Sequence, residues 1–302
     1  MKELFKEVIQ LNMMEETFEK EGCAKKLFAR LNATEMPEYF NWTSEIFEGL
    51  HASQNPDKKA LIWTDIDTLE TKTYSYGTLL KKANQLINFF HKSGLEKGDN
   101  IYMMSPVLPE IWFASLACIK AGMVSVPTAI TMTQRELEFR FETYSPKVIM
   151  ADEDSASLID KALKETNIEP KLKLVLGQKA GWISIDAIKN ESTEAKPAMT
   201  RSNDTLFCFF TSGTTGLPKR VGHTAVSYPV GHLSTTVMIG IKPDDIHHNL
   251  SASGWSKWAW SSFFAPFNVG ATTTGFKFSC LDGEQYLDAI SRHGVTILCA
   301  PP

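Results

Sequence analysis

Leu206-Phe207-Cys208-Phe209-Phe210-Thr211-Ser212-Gly213-Thr214-Thr215-Gly216-Leu217-Pro218-Lys219 is the stretch on which the fold turns. Its first five residues form a short apolar run that predicts a buried strand. The loop after it carries hydroxyls at Thr211, Ser212, Thr214 and Thr215, glycines at Gly213 and Gly216, and a fixed cation at Lys219. Glycine lets the backbone approach a ligand closely, so that successive N–H groups can converge on one anion-sized concavity. Hydroxyls add neutral donors and the lysine a point charge. A solvated turn has no use for this set directly after a buried strand, whereas a polyphosphate does. A P-loop is excluded, because that pattern needs Gly before the lysine and Ser or Thr after it. Pro218 and Arg220 hold those places.

Upstream of the loop, strand and helix signals alternate. Leu79, Leu80, Ala83, Leu86, Ile87 and Phe90 mark one face of a helix that Gly94 is placed to end. Strands are expected at residues 101–104, at 123–126 with Pro127 closing it, at 147–151 and at 172–176. Helices are expected at 111–121, at 155–165 and after Thr133, where Glu136 completes a capping box. Residues 60–63 and 72–74 read as a hairpin. The alternation predicts parallel βαβ units, and hence an α/β fold of layered parallel sheets with helices on both faces. Residues 1–35 read as one amphipathic helix with Leu4, Phe5, Ile9 and Leu11 as its apolar contacts, a helix is expected from Asn41 to about His51, and residues 178–204 read as an irregular connection.

Downstream, residues 223–241 are expected to be helical, with Pro229 kinking the helix or delaying its start. His223 is a candidate base, with capping or packing as the alternative role. Asn268 is expected to open a strand running to Phe276, Asp282 with Gln285 to cap a helix ending at Gly294, and residues 295–300 to form a buried interior strand. Between these lies Ser251-Ala252-Ser253-Gly254-Trp255-Ser256-Lys257-Trp258-Ala259-Trp260, with three of the seven tryptophans. Trp258 and Trp260 fit a core helix. Trp255 follows Gly254 at the mouth of an element, a usual place for a flat pocket wall. Lys257 is either a surface lysine or a cation facing that pocket.

The 302 residues are 43% hydrophobic, enough for a sizeable core, and the net charge is −4 without a basic run, so nucleic-acid binding has no electrostatic support. Five cysteines without a C-x-x-C pair read as reduced, mostly buried thiols of a cytoplasmic protein. An acidic N-terminus argues against a transit peptide, and no run is long enough to span a membrane. Adjacent His247 and His248 lack metal-ligand spacing, and the metal-binding residues are unknown.

The unbroken run from Thr211 to Lys219 resembles the signature loop of the adenylate-forming superfamily. Cys208 departs from the larger residue usual at its place. The Gly254-Trp255 pair resembles the Gly-Trp motif of AMP-forming acyl-CoA synthetases of the medium-chain or aryl type, although Ala252 stands where an Asp is common. The resemblance covers roughly residues 40–302. It implies an ATP-dependent ligase that converts a small-molecule carboxylic acid to acyl-AMP and then to acyl-CoA, with Mg²⁺ and coenzyme A. By this resemblance Thr211, Ser212, Gly213, Thr214, Thr215, Gly216, Leu217, Pro218 and Lys219 hold the phosphates. Lys219 and Thr214 are then catalytic, and Gly254, Trp255 and Lys257 bound the acyl pocket. It also implies a division into an N-terminal helical arm, 1–40, and an incomplete large AMP-binding domain, 41–302. The family's adenine, ribose and metal segments would follow Pro302, so an N-terminal half, inactive alone, is expected, with the strand at 295–300 left as an unpaired edge in this chain. Two other readings stay open: a non-catalytic nucleotide- or acyl-binding protein, and an adenylation domain feeding a carrier protein. A homo-oligomer is also open.

Overall fold

The computed structural model describes residues 1–15, 18–211 and 218–300. In chain order, the N-terminal region forms two helices, α1 (Lys2–Met13) and α2 (Phe18–Ala33). A π-helix (Thr43–Ala52) leads to the hairpin β1 (Lys59–Asp65) and β2 (Thr71–Ser75). Next come α3 (Tyr76–Lys92), β3 (Asn100–Met104), α4 (Glu110–Ala121), β4 (Val124–Thr128), α5 (Gln134–Thr143), β5 (Val148–Ala151), α6 (Glu153–Thr166) and β6 (Leu172–Val175). A short β7 (Ile183–Ser184) and a 3₁₀ turn precede β8 (Thr205–Thr211), β9 (Lys219–Thr224) and α7 (Ser227–Ile239). The chain continues through β10 (Ile246–Asn249), a second π-helix (Trp258–Phe264), α8 (Ala265–Val269), β11 (Thr272–Lys277), α9 (Gly283–Arg292) and β12 (Ile297–Cys299).

Two sheets result, in the orders β12-β10-β11-β1-β2 and β7-β6-β5-β3-β4-β8-β9. All pairs are parallel except β1–β2 and β8–β9. Period-two alternation sends successive residues of the seven-stranded sheet to opposite faces. Ile101, Met103, Val148 and Met150 meet the central helices α3 and α4, while Tyr102, Met104, Ile149 and Ala151 meet α5 and α6. On the far side of the five-stranded sheet, Tyr286 and Ala289 of α9 pack on Phe276 and Ile66. The layers therefore run α9, sheet, central helices, sheet, α5 with α6. Covering both faces is what lets a parallel sheet persist, and the α/β expectation holds.

The cap signals hold as well. Thr133 and Glu136 form the capping box, the Asp282 side chain accepts from the Gln285 N–H, and α4 ends at Gly122 with φ +67°. Several boundaries differ. The N-terminal segment is two helices, not one, and α1 drives Leu4, Phe5, Val8 and Leu11 into the principal core. Asn12 there is fully buried and donates to the Thr236 and Ile241 carbonyls. Residues 219–224 are strand, because β8 offers them an antiparallel partner, and the helix starts only at Ser227. His223 thus lies on β9, its ring 4.3 Å from that of Tyr228. Asn268 and Val269 close α8, Gly270 with φ +76° ends it, and β11 begins at Thr272. The strand expected at 295–300 is β12, paired with β10 and otherwise an open edge in this chain as expected, but less buried than its composition suggests, with Leu298 51% exposed.

Pro127 does not close β4 but lies inside it, opposite Met103. It has no amide hydrogen to offer either neighbour. On the other side β4 shares one ladder position with β8, Ser125↔Phe207. The five cysteines are free; Cys118 and Cys208 are buried, but Cys280 is exposed and Cys23 and Cys299 are half-buried, so most are not buried. Among the described residues no helix is long and apolar enough to cross a membrane.

Candidate active site

β3 leaves its carboxyl end towards α4 on one face of the seven-stranded sheet, and β4 towards α5 on the other. Such a reversal opens a crevice outside the carboxyl ends of the strands, the usual ligand position in open parallel sheets. The segments 129–132, from β4, and 209–211, from β8, become opposite walls of a cleft of about 490 Å³.

The ends of the glycine- and hydroxyl-rich loop open on this cleft. Thr211 and Lys219 are paired across β8 and β9, and Thr211 and Pro218 both line it. Lys219 is exposed at the start of β9. Ser212, Gly213, Thr214, Thr215, Gly216 and Leu217 lie outside the described residues. Two guanidinium groups flank the hairpin: Arg140 stands 4.7 Å over the Phe210 ring and Arg220 4.5 Å over Tyr144. Arg140 also lines the cleft, together with Glu136 one helical turn earlier on α5. Burial pulls the Arg140 pKa below its ordinary value, yet a guanidinium keeps its charge in proteins. The cleft thus has a fixed cation that the sequence reading missed, because nothing in the spacing of α5 says which face meets β8.

The turn at residues 250–256 crosses the mouth of the crevice. Ser253 Oγ donates to the Ser105 carbonyl at 2.7 Å, just after β3. Gly254 lies against the backbone just after β4, where a β-carbon would meet Ala129 Cα and N at 2.4 Å. Fixed at both points, the turn presents Trp255 at the cleft, 60% exposed. Gly254 and Trp255 therefore come together with Thr211 and Pro218, while the half-buried Lys257 is not part of the cleft's lining. Trp258 is 2% exposed and packs edge-on against Trp112.

A second, smaller cavity of about 150 Å³ lies behind this turn, at the carboxyl ends of β10 and β11. Trp112, Trp258, Val107 and Phe276 give it apolar walls, and His248, Asn249, Thr274 and Tyr286 a polar one. His248 Nδ1 is 2.6 Å from Thr274 Oγ1, and its Nε2 pairs with the Tyr286 hydroxyl. Burial pushes the His248 pKa down to about 3, so the ring is neutral. The pairing of His247 and His248 has this packing role within β10. Asn249 and Tyr286 could not be read as neighbours from the sequence, since α9 carries the second to the first.

Among the described residues no group of three or more His, Cys, Asp or Glu side chains comes together as a metal site. No Mg²⁺ ligand can therefore be named from them.

Residues 50–302 match the family of AMP-binding enzymes. The chain belongs to that family. It is 44% identical over 264 residues to 4-hydroxybutyrate–CoA ligase 1 of Metallosphaera sedula, covering 87% of this chain and 46% of the relative. It is 28% identical over 276 residues to the mitochondrial acyl-coenzyme A synthetase ACSM3 of Rattus norvegicus, covering 89% and 47%. This AMP-binding chain spans about half the length of the curated relatives it matches. Among solved structures it superposes on a Brucella canis acyl-CoA synthetase with a TM-score of 0.78 at 23% identity, over 91% of this chain and 50% of the other. The anthranilate CoA ligase AuaEII in complex with anthranoyl-AMP gives 0.77 at 21%, over 87% and 50%. These two share the layered fold.

Proposed function

We propose that this chain supplies the phosphate-loop and acid-binding portion of an ATP-dependent acid–thiol ligase, with residues 1–40 as an arm and 41–302 as part of its large domain. The carboxylate of a small acid attacks the α-phosphorus of ATP and pyrophosphate leaves. The thiol of coenzyme A then attacks the acyl carbon and AMP leaves. An in-line attack on phosphorus builds charge on the equatorial and leaving oxygens, so catalysis is mostly positioning and charge stabilisation. Thr211, Lys219 and the loop between them hold the phosphates, with Lys219 and Thr214 acting on the developing charge. Gly254 and Trp255 bound the acid, and Lys257, outside the cleft's lining, takes no direct part. Mg²⁺ bound with the nucleotide neutralises part of its phosphate charge.

The observation that carries this reading is the convergence of Thr211, Pro218, Gly254 and Trp255 on one cleft at the carboxyl ends of β4 and β8. The likeness to a 4-hydroxybutyrate–CoA ligase supports a short aliphatic acid as substrate. The test is acid-dependent pyrophosphate–ATP exchange. In a full-length ligase that contains this portion, exchange that requires a short carboxylic acid is expected; the absence of exchange there with every short acid tried would remove the assignment.

A further inference from the structure

Arg140 has no role in the reading above, and its surroundings are specific. It is 7% exposed and lines the cleft with Thr211 and Pro218. Its guanidinium stands 4.7 Å over the Phe210 ring. The ring holds the cation by attraction to its face and takes none of its N–H donors. Among the described residues none of those donors meets a hydrogen-bond or ion-pair partner, and none of the three side-chain nitrogens is sealed from the cleft. Glu136, one turn earlier, does not pair with it. The Glu136 Oε2 accepts from the Thr133 N–H and hydroxyl instead, at 2.8 Å each. A largely buried cation without a counter-ion is costly to keep, and an anion taken from solution offsets that cost.

The sheet narrows which anion. Thr211 pairs with Lys219, and Phe210 with Arg220, across β8 and β9. Directly opposed residues point to one face and successive residues to opposite faces. Cys208 and Phe210 pack on the side of α5 and α6, and Phe207 and Phe209 on the side of the central helices. Thr211 and Lys219 therefore project on the central-helix side, while Arg140 stands on the other. The open end of the hairpin carries a fixed cation on each face of the sheet. A single carboxylate would be met by one of them and leave the other without a partner. A chain of phosphates reaches both, and the guanidinium fork matches two oxygens of one phosphate.

We infer that Arg140 binds the diphosphate that departs from the nucleotide, gripping it from the face of the sheet opposite Lys219. The inference rests on the proposed ligase reading, which seats the phosphates at Thr211 and Lys219. Arg140 touches the leaving group and not the acid, and it takes no proton.

The experiment measures acid-dependent pyrophosphate–ATP exchange in a full-length ligase that contains this portion. It compares the unaltered protein with Arg140→Gln and Arg140→Lys, each checked for folding by its thermal melt. Arg140→Gln should raise the KM for pyrophosphate by about tenfold or more, the usual result of losing a hydrogen bond between charged groups, with the KM for the acid unchanged. Arg140→Lys keeps the charge without the fork and should recover part of the loss. If Arg140→Gln does not fold, Arg140→Lys carries the comparison through a smaller rise in the same KM. A raised KM for the acid with that for pyrophosphate unchanged overturns the inference and gives Arg140 to the carboxylate. A fall in kcat with both KM values unchanged overturns it too. An unaltered protein that shows no exchange defeats the ligase reading instead, and calorimetric titration with sodium pyrophosphate then decides Arg140 by itself. Binding weakened about tenfold in Arg140→Gln upholds the phosphate role, and equal binding overturns it.

Discussion

Gly254 sits so close to Ala129 that a β-carbon at 254 would lie 2.4 Å from both the Cα and the N of that residue. The obstructing atoms are backbone, so no rotamer change can relieve the contact. Gly254→Ala should push the 250–256 turn off the crevice, at about 1–3 kcal/mol of stability, and depress exchange activity. Ala129→Gly should fail to rescue it, since the methyl of Ala129 is not what obstructs. Urea titration of the single and double variants checks both statements.

Lys219 stands exposed at the first residue of β9, away from the core, so its loss should leave folding alone. If it stabilises transferring phosphates, Lys219→Ala should slow pyrophosphate–ATP exchange by about 10²–10³, the usual effect of removing one transition-state donor. Thr214→Ala should act in the same direction. An unaltered exchange rate in Lys219→Ala would falsify the assignment.

Trp255 is 60% exposed and Trp258 2% exposed, which separates two roles that share one sequence motif. Trp258→Ala should cost about 3–5 kcal/mol as a core truncation. Trp255→Ala should barely move the melting temperature yet shift preference towards bulkier acids, each methylene counting for about 1–3 kcal/mol in an apolar pocket. A matched loss for every acid would return Trp255 to a structural role.

Burial pushes the pKa of His51 and His247 down to about 4 and that of His232 and His248 down to about 3. A histidine whose folded pKa lies below its unfolded value is neutral in the fold and takes a proton on unfolding. Its contribution is intact above about pH 6.5 and is lost as the pH falls through the window from there to about 4, by up to about 1.4 kcal/mol per pH unit for each ring. Urea midpoints should therefore drop steeply between pH 6.5 and 4.5. Among the described residues His232 Nε2 has no hydrogen-bond partner, so His232→Phe should make the slope shallower with little loss at pH 7.5. A flat profile over this window would show that these rings stay accessible to protons.

Local signals were legible where local physics decides. The capping box at Thr133 and Glu136, the cap at Asp282 and the apolar face of α3 all follow from neighbours within a few residues, as does the α/β alternation. Misread positions depend on distant partners. Residues 219–224 become strand only because β8 lies beside them. The helices expected from Asn41 and at Trp258 are present, but their wide π turns, at Thr43–Ala52 and Trp258–Phe264, are not announced by a period of 3.6. The phosphate loop and the Gly254-Trp255 pair could be singled out because each is contiguous. Arg140, Asn249 and Tyr286 could not, since separate elements bring them to the cavities.

A proline inside an interior strand also bears on how this protein receives a ligand. Were β4 and β8 hydrogen-bonded along their full length, admitting a ligand between their ends would first require breaking ladder bonds, each contributing about 1 kcal/mol net. Pro127 withholds an amide hydrogen two residues past Ser125, the one ladder position that β4 shares with β8. The mouth is thus present in the covalent sequence before anything enters, and occupancy asks for no rearrangement of the sheet. Association by this part of the chain should be a docking event into a pre-shaped gap, with its rate set by encounter rather than by a rare opening of the β4–β8 seam.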